Sequence, residues 1–125
     1  MKVHTRFVRG SALAALAGAL LLAGCVTQPE PLYRWGEYEN LIYTMYMQPG
    51  AAEPGVQAQK LRADIERSEA EGKRVPPGVH AHLGYMNYMQ GNEAGAAEQF
   101  AIERQLYPES SAFMTTFIER IQKGS

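Results

Sequence analysis

Two sets of side chains in this sequence are of the types that do chemistry. The first is a thiol: Cys25 is the only cysteine in 125 residues, and it follows the small apolar run Leu22, Ala23, Gly24. A lone thiol forms no internal disulfide, so its use is modification or nucleophilic attack. The second set is soft. Met45, Met47, Met86 and Met89 fall in two segments that can pack together, with His80 and His82 beside the second pair. Thioether and imidazole together suit Cu(I). The same Met-x-x-Met spacing also fills the core of a helix pair, because methionine is an adaptable apolar side chain. Catalytic constellations are weak by comparison. The sequence has no Gly-x-Ser-x-Gly elbow and no phosphate-binding loop, and beyond His4 the only histidines are His80 and His82. Glu37, Glu39, Glu66 and Glu69 sit among polar neighbours, as solvated helix faces do. The expectation is no enzyme and no bound cofactor, with periplasmic Cu(I) binding as the alternative function.

What precedes Cys25 settles between modification and attack. Residues 1–10 carry Lys2, Arg6 and Arg9 and no acid, and residues 11–22, SALAALAGALLL, are uncharged. A membrane-spanning helix needs roughly 20 apolar residues, so this run has the length of a signal peptide instead. The basic start, apolar middle, small residues and cysteine resemble the lipobox of bacterial lipoproteins. That resemblance implies cleavage before Cys25 and acylation of Cys25, with the covalent lipid as the only prosthetic group. One acyl chain binds a membrane marginally; the three expected of such lipoproteins hold almost permanently. Val26 stands where an aspartate would favour inner-membrane retention, so the resemblance implies an outer-membrane lipoprotein with its domain in the periplasm.

Loss of residues 1–24 removes three of the 12 basic residues and none of the 13 acids, which makes the remainder more acidic than the net −1 of the whole chain. An acidic domain repels phosphate backbones, so nucleic acid is not an expected partner. Three regions result: a signal peptide over 1–24, the lipidated cysteine and a proline-bearing tether over 25–31, and a domain over 32–125. At about 3.1 Å per residue the tether reaches some 20 Å, which keeps the domain near the membrane.

In that domain apolar residues recur at helical spacing and no useful strand alternation appears. The spacing predicts an all-α fold of about five helices, at 32–47, 54–71, 77–90, 92–107 and 110–122, antiparallel because the connections are short. The first aligns Trp35, Tyr38, Ile42 and Met45. The second starts at Pro54 and places Arg62–Glu66 and Arg67–Glu71 one turn apart as ion pairs on a solvated face. Gly91 ends the third, Asn92 caps the fourth, and Pro108 breaks it. The fifth aligns Phe113, Met114, Phe117, Ile118 and Ile121.

Residues 80–108 resemble one tetratricopeptide repeat: Leu83, Gly84, Gly91, Ala96, Phe100 and Pro108 stand at its spacings. His80, Asn87 and Glu103 depart from the pattern. Glu103 falls on the face that should pack, where an ionised carboxylate needs a partner, and Arg34 or a tyrosine hydroxyl can serve. One repeat leaves an apolar face uncovered. The first two helices would supply a degenerate unit, with Trp35-Gly36 echoing the Leu83-Gly84 region, and the fifth would cap the array. The resemblance implies a concave surface lined by the first helix of each unit, which nominates Tyr85, Tyr88 and Met89 for partner binding.

Across its length the domain, with YRWGEYENLIYTMYM, HLGYMNYMQGN and ERQLYPESSAFM, is similar to a family of small Gram-negative lipoproteins described as domain of unknown function 4810. Members tend to be encoded beside a lipoprotein similar to the curli secretion channel and another small lipoprotein. The resemblance implies a non-catalytic adaptor or scaffold in an envelope lipoprotein complex, with protein partners and no small-molecule substrate.

Overall fold

A computed structural model describes residues 28–124. The signal segment, Cys25 and the start of the tether lie outside the described residues. The chain divides into Met1–Glu30 and Pro31–Ser125. Of the first unit, residues 28–30 are described, exposed and without secondary structure.

The second unit is all-α, as the periodicity predicts. Among the described residues it holds α1 (Tyr38–Met47), α2 (Pro54–Ala70), α3 (Val79–Met89), α4 (Glu93–Leu106) and α5 (Ser111–Gly124), with 3-10 turns at Pro49–Ala51 and Pro108–Ser110. None of these helices is long and apolar enough to cross a membrane. From α2 onward each helix packs on its neighbour in the chain, while α1 lies more lightly on α2.

The helix ends follow local chemistry. Pro54 occupies the first turn of α2, and the Glu53 carboxylate accepts the Val56 N–H at 3.2 Å. Gly91, left-handed at φ +76°, closes α3, and the Asn92 N–H returns to the Asn87 carbonyl at 2.9 Å. The Asn92 side chain then caps α4 by accepting the Gly95 N–H at 3.0 Å. One asparagine thus ends one helix and starts the next, and the turn between them is tight.

The first helix is shorter than its apolar spacing implies, because Gly36 breaks it at φ +52°. A Cβ there would lie 2.3 Å from Asp64 Oδ1. The chain turns at that glycine so that the buried Asp64 carboxylate can accept the Glu37 N–H at 2.7 Å and the Arg34 guanidinium at 3.3 Å. Trp35 therefore sits before the helix, stacked 6.3 Å from Tyr38. The proposed echo of Leu83-Gly84 fails for the same reason: Gly36 makes a left-handed turn, whereas Gly84 lies inside a helix.

The ion pairs expected along α2 do not form either. Arg62 donates to Asn87 Oδ1 at 2.9 Å, Arg67 lies 4.0 Å from Asp64, and Glu71 accepts from Arg34 at 3.0 Å. The buried Asn87 amide oxygen on α3 holds Arg62 better than an exposed carboxylate on the same helix, where water screens the attraction, and Glu71 is taken by Arg34 from outside α2.

Two apolar clusters hold the helices together. Leu41, Ala58, Leu61, Val75, Val79, Leu83 and Met86 join α1, α2 and α3. Ala96, Phe100, Met114 and Ile121 join α4 and α5. The α3–α4 crossing is close: a Cβ on Gly84 would lie 2.8 Å from the Phe100 ring and 3.2 Å from the Ala96 carbonyl oxygen. The small residues of the repeat pattern thus stand where the backbones approach, with the aromatic filling the space beside them. In α5 the expected apolar face is only partly used. Met114 and Ile121 are buried, whereas Phe113 is 64% exposed.

Candidate functional groove

The three odd-numbered helices share one concavity. A groove of about 660 Å³ is lined by Ile42, Met45 and Tyr46 from α1, by His82, Tyr85, Met86 and Met89 from α3, and by Phe113, Met114 and Phe117 from α5. Its remaining wall is Tyr38, Pro49, Ala52, Gly78, Ala81 and Phe100. This lining includes no carboxylate, ammonium, guanidinium, thiol or aliphatic hydroxyl. What it does offer is apolar surface, phenol hydroxyls and one imidazole. The aromatic side of the wall is ordered by ring packing, with Phe117 between Phe100 at 5.2 Å and Phe113 at 4.8 Å.

Of the residues nominated from sequence, Tyr85, Tyr88 and Met89 are 41%, 50% and 53% exposed. Tyr85 and Met89 line the large groove, whereas Tyr88 lines a smaller one of about 130 Å³ with Tyr85, Phe100, Phe117, Arg120 and Ile121. The methionine set is rearranged. Met45, Met86 and Met89 reach the groove, Met47 does not, and Met114 from α5 takes part in its place. Met47 is one residue beyond Tyr46 at the end of α1 and points away into solvent. The contributions of Tyr46, Phe113 and Met114 escaped the sequence reading. Tyr46 carries no sequence signal beyond its place on the first helix, and the apolar alignment of Phe113 and Met114 on the fifth says nothing of a groove until the packing partner of α5 is known.

The two histidines have different roles. His80 is buried with Nδ1 2.8 Å from Gln99 Oε1, which satisfies it within the α3–α4 pair. His82 is buried, 6% exposed, and neither ring nitrogen has a hydrogen-bond partner. Burial pushes its pKa below the ordinary 6.5, which favours the neutral ring. The Tyr38 ring meets it edge-on at 5.9 Å.

Below the groove, Glu103 on α4 is 2% exposed. Its partner is neither Arg34 nor a tyrosine hydroxyl: Oε1 accepts the Gly78 N–H at 2.7 Å and Oε2 the Ala81 N–H at 3.4 Å. These are unsatisfied donors at the start of α3, where the helix dipole favours negative charge. Gly78 itself is left-handed at φ +90°, and a Cβ there would lie 2.4 Å from the Tyr38 hydroxyl. Burial raises the Tyr38 pKa, with the Glu103 charge and Tyr46 adding to it. Arg34 is engaged elsewhere, by Asp64 and Glu71. One turn beyond Glu103, just past the end of α4, the Tyr107 hydroxyl donates to the Val75 carbonyl, and burial pushes its pKa up to about 12. The Arg74 guanidinium lies between the Tyr33 and Tyr107 rings, at 5.6 and 5.8 Å.

Among the described residues no three His, Cys, Asp or Glu side chains are grouped to hold a metal ion. The family described as Domain of unknown function (DUF4810) matches the chain over residues 32–117. No curated protein and no solved structure matches it.

Proposed function

The chain belongs to the DUF4810 family of domains of unknown function, and on that premise we propose a non-catalytic adaptor that docks a partner lipoprotein of the cell envelope. Acyl chains on Cys25 would hold it at the periplasmic side of the outer membrane, and the groove between α1, α3 and α5 would take an uncharged apolar segment of the partner. A lipoprotein similar to the curli secretion channel is the partner class that the family resemblance implies.

The observation that carries this reading is an apolar groove with no charged residue in its lining, ringed by exposed Tyr46, Tyr85, Met89 and Phe113. Large exposed apolar side chains clustered in one concavity mark interaction surfaces, and tyrosine adds a rigid contact area with a polar tip. The alternation of the helices is the arrangement a tetratricopeptide-like array would have, its odd helices lining the concave side.

The test is affinity capture of the lipidated protein from detergent-solubilised envelopes, comparing wild type with the Tyr85→Ala/Tyr88→Ala double variant. Circular dichroism controls for folding. The expected result is one envelope lipoprotein recovered in constant ratio by wild type and lost in the folded variant. Failure of wild type to recover any specific lipoprotein would remove the proposal.

A further inference from the structure

The same groove holds a second arrangement that is independent of docking. His82, Met86 and Met89 occur at i, i+4 and i+7 of α3, so they form one stripe along one helix face. Side chains one turn apart have Cβ atoms about 5–6 Å from each other, the spacing at which two helix residues share a metal ion. Across the groove stand Met45 from α1 and Met114 from α5. Three helices therefore bring four of the six methionines of the chain to one imidazole.

His82 is the independent sign of a ligand. Its ring is 6% exposed, lines the groove, and has no hydrogen-bond partner at either nitrogen, whereas nearby His80 is satisfied by Gln99. A buried polar group left unpaired is destabilising, and a ligand bonded to it reverses that penalty. The groove lining contains no carboxylate and no thiolate, so hard cations and zinc lack their preferred donors there. Thioether and imidazole select a soft monovalent ion.

We propose that His82, Met86 and Met89, joined by a thioether from Met45 or Met114, bind one Cu(I) ion in the groove. Met89 is exposed at the mouth, while Met86 and His82 are buried, so one ligand is accessible and two are enclosed. The set differs from the one that sequence spacing suggests: Met47 and His80 are excluded and Met114 is included.

The experiment titrates Cu(I) into the full-length protein in detergent, under anaerobic reducing conditions, against the chromogenic chelator bicinchoninate. One equivalent is expected to be withdrawn from the chelator. Met86→Leu and His82→Phe are expected to weaken binding by about tenfold or more, and Met47→Leu to leave it unchanged. Leucine preserves volume at a methionine position, so folding is retained. A second readout needs no variant: with methyl-labelled methionine, Ag(I) should shift the methyl resonances of Met86 and Met89 but not that of Met47. No competition with the chelator, equal binding by both groove variants, or shifts confined to Met47 would each overturn the proposal. The adaptor reading survives any of these results, because it rests on partner capture.

Discussion

Glu103 shows how one residue can stabilise two elements at once. Its carboxylate lies on α4, yet it accepts N–H groups from Gly78 and Ala81 at the start of α3. Glu98 on the same helix is exposed. Glu103→Ala leaves two partly buried donors without their acceptor and is expected to cost about 1–3 kcal/mol in denaturant unfolding. Glu98→Ala should stay within about 0.5 kcal/mol of wild type. Equal losses would show that the carboxylate does not cap α3. The sequence marks Glu103 as an acid on a packing face, but its partner could not be read there, because backbone N–H groups have no residue-type signature. His82 supplies the second prediction at this scale. Its folded pKa lies below the 6.5 of an ordinary histidine, so as pH falls below that value the unfolded chain takes up the proton first. Its contribution is fully present above about pH 6.5 and is lost as pH falls toward the depressed folded value. The melting temperature of wild type should therefore drop as pH falls below about 6.5. His82→Phe should flatten that drop and raise the melting temperature at pH 7, because it replaces two unpartnered buried ring nitrogens with apolar carbon. An unchanged pH slope would mean that His82 does not carry the acid sensitivity.

At the scale of the elements, local and distant causes separate cleanly. The ends of α2, α3 and α4 follow from residues within a few positions of them: Glu53 and Pro54, Gly91, and Asn92. Those ends were legible, since a cap is a contact between near neighbours in sequence. The start of α1 was not, because Gly36 turns to meet Asp64, a side chain from another helix. The α3–α4 crossing tests the same distinction. Alanine is favoured over glycine inside a helix by about 1 kcal/mol, so local propensity alone makes Gly84→Ala stabilising. The packed structure reverses the sign, because the added methyl meets the Phe100 ring at 2.8 Å and the Ala96 carbonyl at 3.2 Å. Overpacking of this kind costs about 1–3 kcal/mol, and urea unfolding of Gly84→Ala should show a net loss. A gain in stability would mean that the two helices can separate without penalty.

Over the whole molecule, successive helices pack in chain order from α2 to α5, so most of the core forms from contacts close in sequence. The groove has another origin. It needs α1, α3 and α5, which are not neighbours in the chain, to present their faces to one space. Helical periodicity, the cap at Asn92, the first-turn Pro54 and the small residues of residues 80–108 determine by themselves that this chain is all-α and where α2 to α4 lie, because each is a local preference of the backbone or of one helix face. The pairing of Arg62 with Asn87 rather than Glu66, the inclusion of Met114 and exclusion of Met47, and the unpartnered state of His82 were decided only by tertiary structure. The physical reason is common to all three. Burial changes which acceptor or neighbour is favourable, and burial at any one residue depends on helices that the surrounding sequence does not specify.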